Sequence, residues 1–244
     1  MKAVEQRWLD YAWTVVNASQ HHRRGCLVRD AASGRGLDGG NDIRFPGFLG
    51  ERYTPEQGLL CVGQVHREPT NPEHLDGDPE RFIAAHRAWR ESGRLADADT
   101  AFLAEVRRYY AATAASWNPW HTHFKRMVVG ELGLDMSHIA YTNLAKCRQN
   151  PAGKNPRKLS DYCQQDFPVD RLVEVLQPVA VIVCVISADP TREGRWASPS
   201  WEPLVFACEG RNGCDVRGRG PTVWAPEAAA RVRQRWSQLE TATT

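Results

Sequence analysis

The stretch Val179-Ala180-Val181-Ile182-Val183-Cys184-Val185-Ile186 holds eight consecutive apolar residues, six of them β-branched, directly after Pro178. β-Branched residues pack well on a pleated surface, and a strand buried on both faces reads as a continuous apolar run. The run is far too short to cross a bilayer. It therefore predicts an inner strand of a sheet that is covered on both sides.

Three further short apolar runs predict the other strands, at 59–62, 139–142 and 204–208. Segments with apolar residues at helical spacing separate them. The predicted helices cover 4–16, 80–90, 96–115, 120–132 and 169–176, with a last helix set up by Pro226. Strands that alternate with helices favour an α/β fold with a parallel sheet. Ligands bind such sheets beyond the carboxyl ends of the strands, so we expect the informative residues in the loops that follow them.

The chain has 244 residues, a formal net charge of +2 and a mean hydropathy of −0.52. This composition suits one globular domain spanning residues 1–244, which we expect to be a monomer. The first helix carries charge throughout and lacks the apolar core of a signal peptide, so we expect a cytoplasmic protein with no membrane contact. Its seven cysteines are an odd number, which disfavours a disulfide framework. With so little net charge, binding to nucleic acid requires a local basic cluster.

Two segments follow the first two predicted strands: Gly63-Gln64-Val65-His66-Arg67-Glu68-Pro69 and Thr142-Asn143-Leu144-Ala145-Lys146-Cys147-Arg148. Together they resemble the uracil-DNA glycosylase superfamily. The first segment corresponds to the glycine-led loop of that family. The second matches the pattern Thr-Asn-x-x-Lys-Cys-Arg of its iron-sulfur branch. The resemblance spans residues 59–187, about half of the chain.

The resemblance implies a three-layer α/β/α sandwich with a central four-stranded, mainly parallel sheet. It also implies a DNA glycosylase of base-excision repair, which flips a base out of DNA, hydrolyses its N-glycosidic bond and leaves an abasic site. Asn143 is the expected reader of the base, since its amide offers a donor and an acceptor, although an asparagine can also simply cap a turn. The main chain at Gly63 and Gln64 would assist it.

The catalytic motifs differ from the family pattern. Glycosidic cleavage passes through a positively charged sugar, so it needs a nearby negative charge and a positioned water. The acidic residue of the first motif is replaced here by Gln64 and Val65. Glu68 is the candidate to position water, with Asp189 and Glu209 as rivals. The alternative for Glu68 is a solvated loop carboxylate.

The last motif of the family, a His-Pro-Ser loop, is also missing. At the corresponding strand end the chain carries Cys208-Glu209-Gly210-Arg211-Asn212-Gly213. Arg211 is the candidate to stabilise the departing base anion, and Asn212 is expected to line the pocket beside it. A solvated loop arginine is the alternative.

The predicted substrate is a modified pyrimidine rather than plain uracil. His66 and Arg67 stand where the family has Pro-Tyr or Pro-Gly, and these polar side chains suit a cytosine with a polar 5-substituent, as in phage DNA. Such a target would give the enzyme a role in antiviral defence. Val65 completes this part of the pocket, and Trp120 and His121 are candidates to stack on the flipped base.

Five basic residues with no acid among them lie between 146 and 158: Lys146, Arg148, Lys154, Arg157 and Lys158. Their proximity to the second motif predicts contacts with DNA phosphates. A solvated charge run is the alternative. Duplex or single-stranded DNA is the expected partner.

Three cysteines stand where the iron-sulfur branch has cluster ligands: Cys26, Cys147 and Cys163. The usual fourth cysteine is replaced by Arg23, so His22 or His21 would have to supply the fourth ligand of a [4Fe-4S] cluster or a zinc ion. The alternative is that these cysteines are small buried residues. No dissociable cofactor is required for the predicted reaction.

Two other functions stay open. The first is a non-catalytic protein that binds damaged or modified DNA on the same scaffold, which the missing motif residues favour. The second is a metal-dependent hydrolase built on His121, His123 and the cysteines, which predicts stoichiometric zinc.

Overall fold

The structure is a computed structural model of the chain. It describes residues 1–17, 44–67, 79–115, 126–149, 164, 167–185, 206–209, 214–215 and 221–242. The later part of the basic cluster, with Lys154, Arg157 and Lys158, and two of the three predicted cysteine ligands, Cys26 and Cys163, lie outside these described residues.

Within the described residues, six strands form one sheet in the order β1-β3-β2-β4-β5-β6. Their bounds are β1 Phe48–Leu49, β2 Leu59–Arg67, β3 Ile139–Gln149, β4 Ala180–Val185, β5 Phe206–Glu209 and β6 Cys214–Asp215. β2 is parallel to β4, with Leu59 opposite Ala180, and β4 is parallel to β5, with Ile182 opposite Phe206. β6 runs antiparallel to β5. The mixed α/β class and the parallel pairing at the centre of the sheet are confirmed.

Five α-helices are described: α1 Ala3–Val16, α2 Pro79–Ser92, α3 Ala96–Ala115, α4 Val169–Leu176 and α5 Pro221–Ala242. A π-helix, Arg126–Glu131, and a 3₁₀ turn, Met136–His138, precede β3. The α3 and α4 predictions match the observed bounds. α5 begins at Pro221, so Pro226 lies inside the helix instead of preceding it. A proline at the first helical position costs no hydrogen bond, which makes Pro221 the better start.

The four predicted strands are all present as β2, β3, β4 and β5, but two of them are longer than predicted. β2 continues past Gly63 to Arg67, and β3 continues past Asn143 to Gln149. The prediction that these strands end at Gly63 and at Asn143 is therefore wrong. A single glycine or asparagine does not end a strand when the following backbone groups still find partners.

One compact unit comprises Met1–Phe48, Gln64–Ser116 and Thr142–Val175. Its core is aromatic. Trp89 stacks on Phe102 with ring centres 3.9 Å apart, and Tyr109 stacks on Phe82 at 4.5 Å. Each ring is at most 4% exposed. Large rings gain more from burial than most side chains, so this cluster is the main apolar core of the unit.

The other compact unit comprises Leu49–Gly63, Trp117–Tyr141 and Leu176–Thr244. The facing residues of β2 and β4 form its centre, and those from Leu59 to Val62 are fully buried. α5 buries one face, with Trp224, Ala225, Ala228, Ala229 and Val232 at helical spacing. Its Arg235 donates to the Val179 carbonyl at 3.1 Å. The 3₁₀ turn before β3 lies close to Gly50. A Cβ atom on residue 50 would lie 2.1 Å from the Ser137 carbonyl oxygen, so only glycine fits at this position.

Among the described residues, none of the helices combines the length and the apolar character that a membrane span requires.

Two glutamates of the first unit form ion pairs that lower their pKa values. Burial alone would raise the pKa of Glu5, but hydrogen bonds from Arg107 and from the Lys2 N–H outweigh it and lower that pKa. The hydrogen bond from Arg108 lowers the pKa of Glu105. A group whose pKa is lower in the folded state adds stability above its unfolded pKa of about 4.3, and this stability is lost as the pH falls through the folded pKa.

Replacing Arg107 with methionine should therefore lower the free energy of unfolding by about 1 kcal/mol at pH 7 and by less near pH 3. Arg107 Nη2 lies 2.7 Å from Glu5 Oε1, and the Arg107 and Glu5 side chains are 24% and 10% exposed. Urea unfolding at both pH values measures the difference. An equal loss of stability at pH 7 and pH 3 would show that Arg107 acts through packing alone.

Candidate functional site

The backbone of β3 departs from regular pairing with the segment that contains β1. The Phe45 N–H donates to the Lys146 carbonyl at 2.7 Å, and the Gly50 N–H donates to the Ile139 carbonyl at 2.9 Å. From Phe45 to Gly50 the chain advances five residues, whereas from Ile139 to Lys146 in β3 it advances seven. In regular antiparallel pairing the two numbers would be equal. β3 therefore carries two extra residues between Ile139 and Lys146, which is a β-bulge.

The side chain of Lys146 closes this bulge. Lys146 is 0% exposed, and its Nζ donates to Thr142 Oγ1 at 2.5 Å and to the Asn143 carbonyl at 2.7 Å. Four residues of extended strand span about 13 Å, which is more than these two side chains can bridge. The backbone from Thr142 to Lys146 must therefore bend. The ammonium also lies 5.8 Å from the centre of the Tyr11 ring.

Two further side-chain bonds hold the bulge. Thr142 Oγ1 accepts from Lys146 and donates to the Pro46 carbonyl at 3.2 Å. Gln164 Nε2 donates to the Leu144 carbonyl at 2.8 Å, while its Oε1 accepts from the N–H of Val169 at 3.0 Å. Val169 is the first residue of α4, so Gln164 ties the bulge to the start of that helix.

The segment opposite the bulge is fixed by α2. His86 is 0% exposed, and its Nε2 lies 3.1 Å from the Arg44 carbonyl oxygen. The Phe45 ring stacks on Phe82 with centres 5.3 Å apart and planes within 5°. These contacts give the bulge a rigid support from the aromatic core.

Asn143 lies within the bulge and is 4% exposed. The next strand in the sheet order is β2, which carries Gln64, Val65, His66 and Arg67 at its end. The two segments that resemble the glycosylase family therefore lie on neighbouring strands. Bulges are common next to active sites, where they re-aim a side chain.

The predicted site residues fall into two groups. Those within described strands are Gly63, Gln64, Val65, His66, Arg67, Asn143, Lys146, Cys147 and Arg148, with the rival Glu209 in β5. Those outside the described residues are His22, Cys26, Glu68, Trp120, His121, Lys154, Arg157, Lys158, Cys163, Arg211 and Asn212, with the rival Asp189. The roles predicted for this second group stay predictions.

Lys146 has a different environment from the one its predicted role requires. A phosphate contact needs an exposed ammonium, but this ammonium is buried and bonded to Thr142 and Asn143. We therefore correct its assignment from a DNA-contacting residue to an internal residue of β3.

Three contacts of this site were not evident from the sequence: those of the Pro46 carbonyl, of Gln164 and of the Thr142 hydroxyl. Thr142 precedes Lys146 by four residues, a spacing that places both on one face of a strand. That spacing was a usable signal, because a polar pair on a buried face must find partners. Pro46 and Gln164 are distant in sequence and carried no signal of their own.

A cluster of Asp135, Ser137 and His138 has the composition of a catalytic triad but not its geometry. Asp135 Oδ1 accepts from the Ser137 N–H at 2.8 Å, and His138 Nδ1 lies 3.0 Å from the same oxygen and 3.3 Å from Ser137 Oγ. A triad needs the two ring nitrogens to face different partners. Hydrogen bonding from Ser137 lowers the pKa of Asp135, as expected for the cap of a helical turn.

In the part of the chain that the structure describes, no group of three or more His, Cys, Asp or Glu side chains is arranged to hold a metal ion. Three thiolates and an imidazole would suit a soft metal, but Cys147 alone of that set lies in a described strand. The metal site stays a prediction, and nothing below depends on it.

No family model and no curated protein matches the chain at a significant level.

Proposed function

We propose that the chain is a DNA glycosylase, which flips a modified pyrimidine out of DNA and hydrolyses its N-glycosidic bond to leave an abasic site. On this proposal it shares the scaffold of the uracil-DNA glycosylase superfamily, with helices on both faces of the sheet as a three-layer α/β/α sandwich. A 5-substituted cytosine of phage DNA is the proposed substrate. Duplex or single-stranded DNA is the partner.

The observation that carries the proposal is the placement of Asn143 in a fixed β-bulge. Its amide can donate to the ring N3 of a cytosine and accept from the neighbouring 4-amino group, which matches the polar edge of that pyrimidine. Enzymes that act on a base read that edge after extruding the base from the stack. The bulge bonds hold the backbone on both sides of Asn143, as a reader of small differences between bases requires.

The strand β2 supports the proposal from the neighbouring position. His66 and Arg67 are at its end, next to the strand that holds Asn143. We propose that this end of β2 recognises the polar 5-substituent of the base.

A binding protein for modified DNA is the second candidate. Gln64 and Val65 occupy the positions where the family has its acid, and neither side chain can act as a general base. The proposal gives that role to Glu68. If no carboxylate replaces the missing acid, the same bulge would recognise a base without cleaving its bond.

The test is a single-turnover assay on labelled duplexes that carry uracil, mismatched thymine, 5-hydroxymethylcytosine or glucosylated cytosine. Alkali-labile abasic sites at one modified cytosine are the expected result. A gel shift specific for a modified base without alkali-labile sites would favour the binding protein. Cleavage of uracil alone would reject the modified pyrimidine, and the absence of both cleavage and base-dependent binding would reject the proposal.

A further inference from the structure

We infer that Lys146 is a positioning residue for Asn143: its buried ammonium fixes the bulge of β3 and thereby orients the Asn143 amide. This inference rests on the proposed function in one respect, because that function supplies the base that the Asn143 amide would recognise. It assigns Lys146 no contact with DNA.

The ammonium bonds back along its own strand. It donates to the Thr142 hydroxyl and to the Asn143 carbonyl, which come four and three residues earlier in the chain. Both bonds cross the bulge from its end to its start. In a regular strand the Asn143 carbonyl would bond to a neighbouring strand, so the lysine replaces a ladder partner of that carbonyl where the ladder is interrupted.

A buried charge is costly, which argues against a purely space-filling role. Desolvating an ammonium must be offset by hydrogen bonds, and a methionine of similar length would fill the same volume without that cost. Lys146 is 0% exposed. What the ammonium supplies and methionine does not is a pair of directed bonds to the backbone and hydroxyl of residues 142 and 143.

The bonds around Asn143 leave its backbone little freedom. Its carbonyl accepts from Lys146, the preceding Thr142 is tied to the Pro46 carbonyl, and the following Leu144 carbonyl accepts from Gln164. The direction in which the Asn143 side chain leaves the strand is therefore set. Removal of the ammonium releases the first of these constraints, together with the bond from Lys146 to the Thr142 hydroxyl.

The consequence for function follows from geometry. A hydrogen-bonding side chain displaced by about 1 Å can lose on the order of 100-fold in effect. Phosphate contacts elsewhere on the protein would not change. Loss of Lys146 should therefore reduce the preference for a modified base and leave general DNA binding intact.

The experiment compares Lys146→Met with wild type by the {¹H}-¹⁵N NOE of the Asn143 side-chain amide, whose signals are assigned by their loss in Asn143→Asp. We expect an ordered amide in wild type and a mobile one in Lys146→Met. Lys2→Met, an exposed lysine that loses the same charge, should leave the amide ordered. An Asn143 amide as ordered in a folded Lys146→Met as in wild type would overturn the inference.

A second variant covers the case in which Lys146→Met does not fold. Thr142→Val keeps the side-chain volume and removes one acceptor of the ammonium, so the Asn143 amide should gain mobility; an unchanged amide would again overturn the inference.

The binding arm uses labelled duplexes with and without the modified base that the cleavage panel selects. The ratio of their dissociation constants should fall on the order of 10- to 100-fold in Lys146→Met, with binding to the unmodified duplex unchanged. Equal weakening of both duplexes would show a general DNA contact and contradict the inference. A wild-type protein with no base preference would refute the proposed function, while the amide measurement would still decide the positioning role.

Discussion

Replacing Asp99 with alanine should lower the free energy of unfolding by about 3 kcal/mol, the lower end of the cost of removing one partner of a buried ion pair, because the Arg94 side chain keeps 18% of its surface exposed. Asp99 is 4% exposed. Its carboxylate accepts from Trp89 Nε1 at 2.7 Å and from Arg94 Nη2 at 2.9 Å and Nε at 3.0 Å. The alanine variant would leave an indole N–H and a guanidinium without this acceptor.

The effect should be large because Asp99 also holds a strained turn. Arg94 has a φ of 71°, in the left-handed region that a residue with a Cβ seldom adopts. Its guanidinium lies 5.8 Å from the Trp13 ring centre and 5.9 Å from that of Trp89. The Asp99 carboxylate thus fixes the turn between α2 and α3. Through its bonds it also holds the packing of Trp89 and Arg94 and, through Arg94, that of Trp13.

Asp97→Ala is the matched control. Asp97 is in the same first turn of α3, so it has the same interaction with the helix dipole, but it is exposed. Its loss should cost no more than about 0.5 kcal/mol. Urea unfolding followed by circular dichroism measures both variants. Similar losses in Asp97→Ala and Asp99→Ala would contradict the role given to the buried carboxylate.

The inner strands were predictable because their patterns depend on burial alone. Residues 59–62 of β2 lie opposite residues 180–183 of β4, and all eight are at most 2% exposed. In a strand without polar residues the side chains on both faces are apolar, and both faces are removed from water only in the interior of a covered sheet. Strands β1 and β6 have two residues each, too few to form a pattern, and their pairing depends on tertiary contacts.

The extension of β3 was not predictable from hydrophobicity. Residues 143 and 146 are polar, and polar residues after an apolar run normally indicate a loop. The strand continues because Lys146 and Gln164 bond to the carbonyls of Asn143 and Leu144. One of these donors comes from 20 residues away in sequence, so local pattern could not reveal it. The sequence identified Asn143 as the candidate reader, and the bulge explains how a buried mid-strand residue can have that role.

Replacing Asn143 with alanine should lower the rate of base release on the proposed substrate by about 100- to 1,000-fold, the usual effect of removing one preorganised hydrogen-bond donor at a reacting group. Binding to an unmodified duplex should not change, because phosphate contacts supply that affinity. Single-turnover abasic-site formation and fluorescence anisotropy measure the two quantities.

Asn143→Asp separates recognition from packing, because it keeps the side-chain volume and the main-chain carbonyl that accepts from Lys146. It replaces the amide donor with a second acceptor, which can still accept from the 4-amino group of the proposed cytosine but cannot donate to its ring N3, so base release should slow although the side-chain volume is kept. Asn17→Ala, at the end of α1, is the control for loss of an asparagine elsewhere and should leave cleavage unchanged. If Asn143→Ala and Asn143→Asp both cleave at the wild-type rate and with the wild-type preference, the Asn143 amide does not recognise the base. Both variants lack the amide donor, so a recognition role of that donor would have to change their rate or their preference.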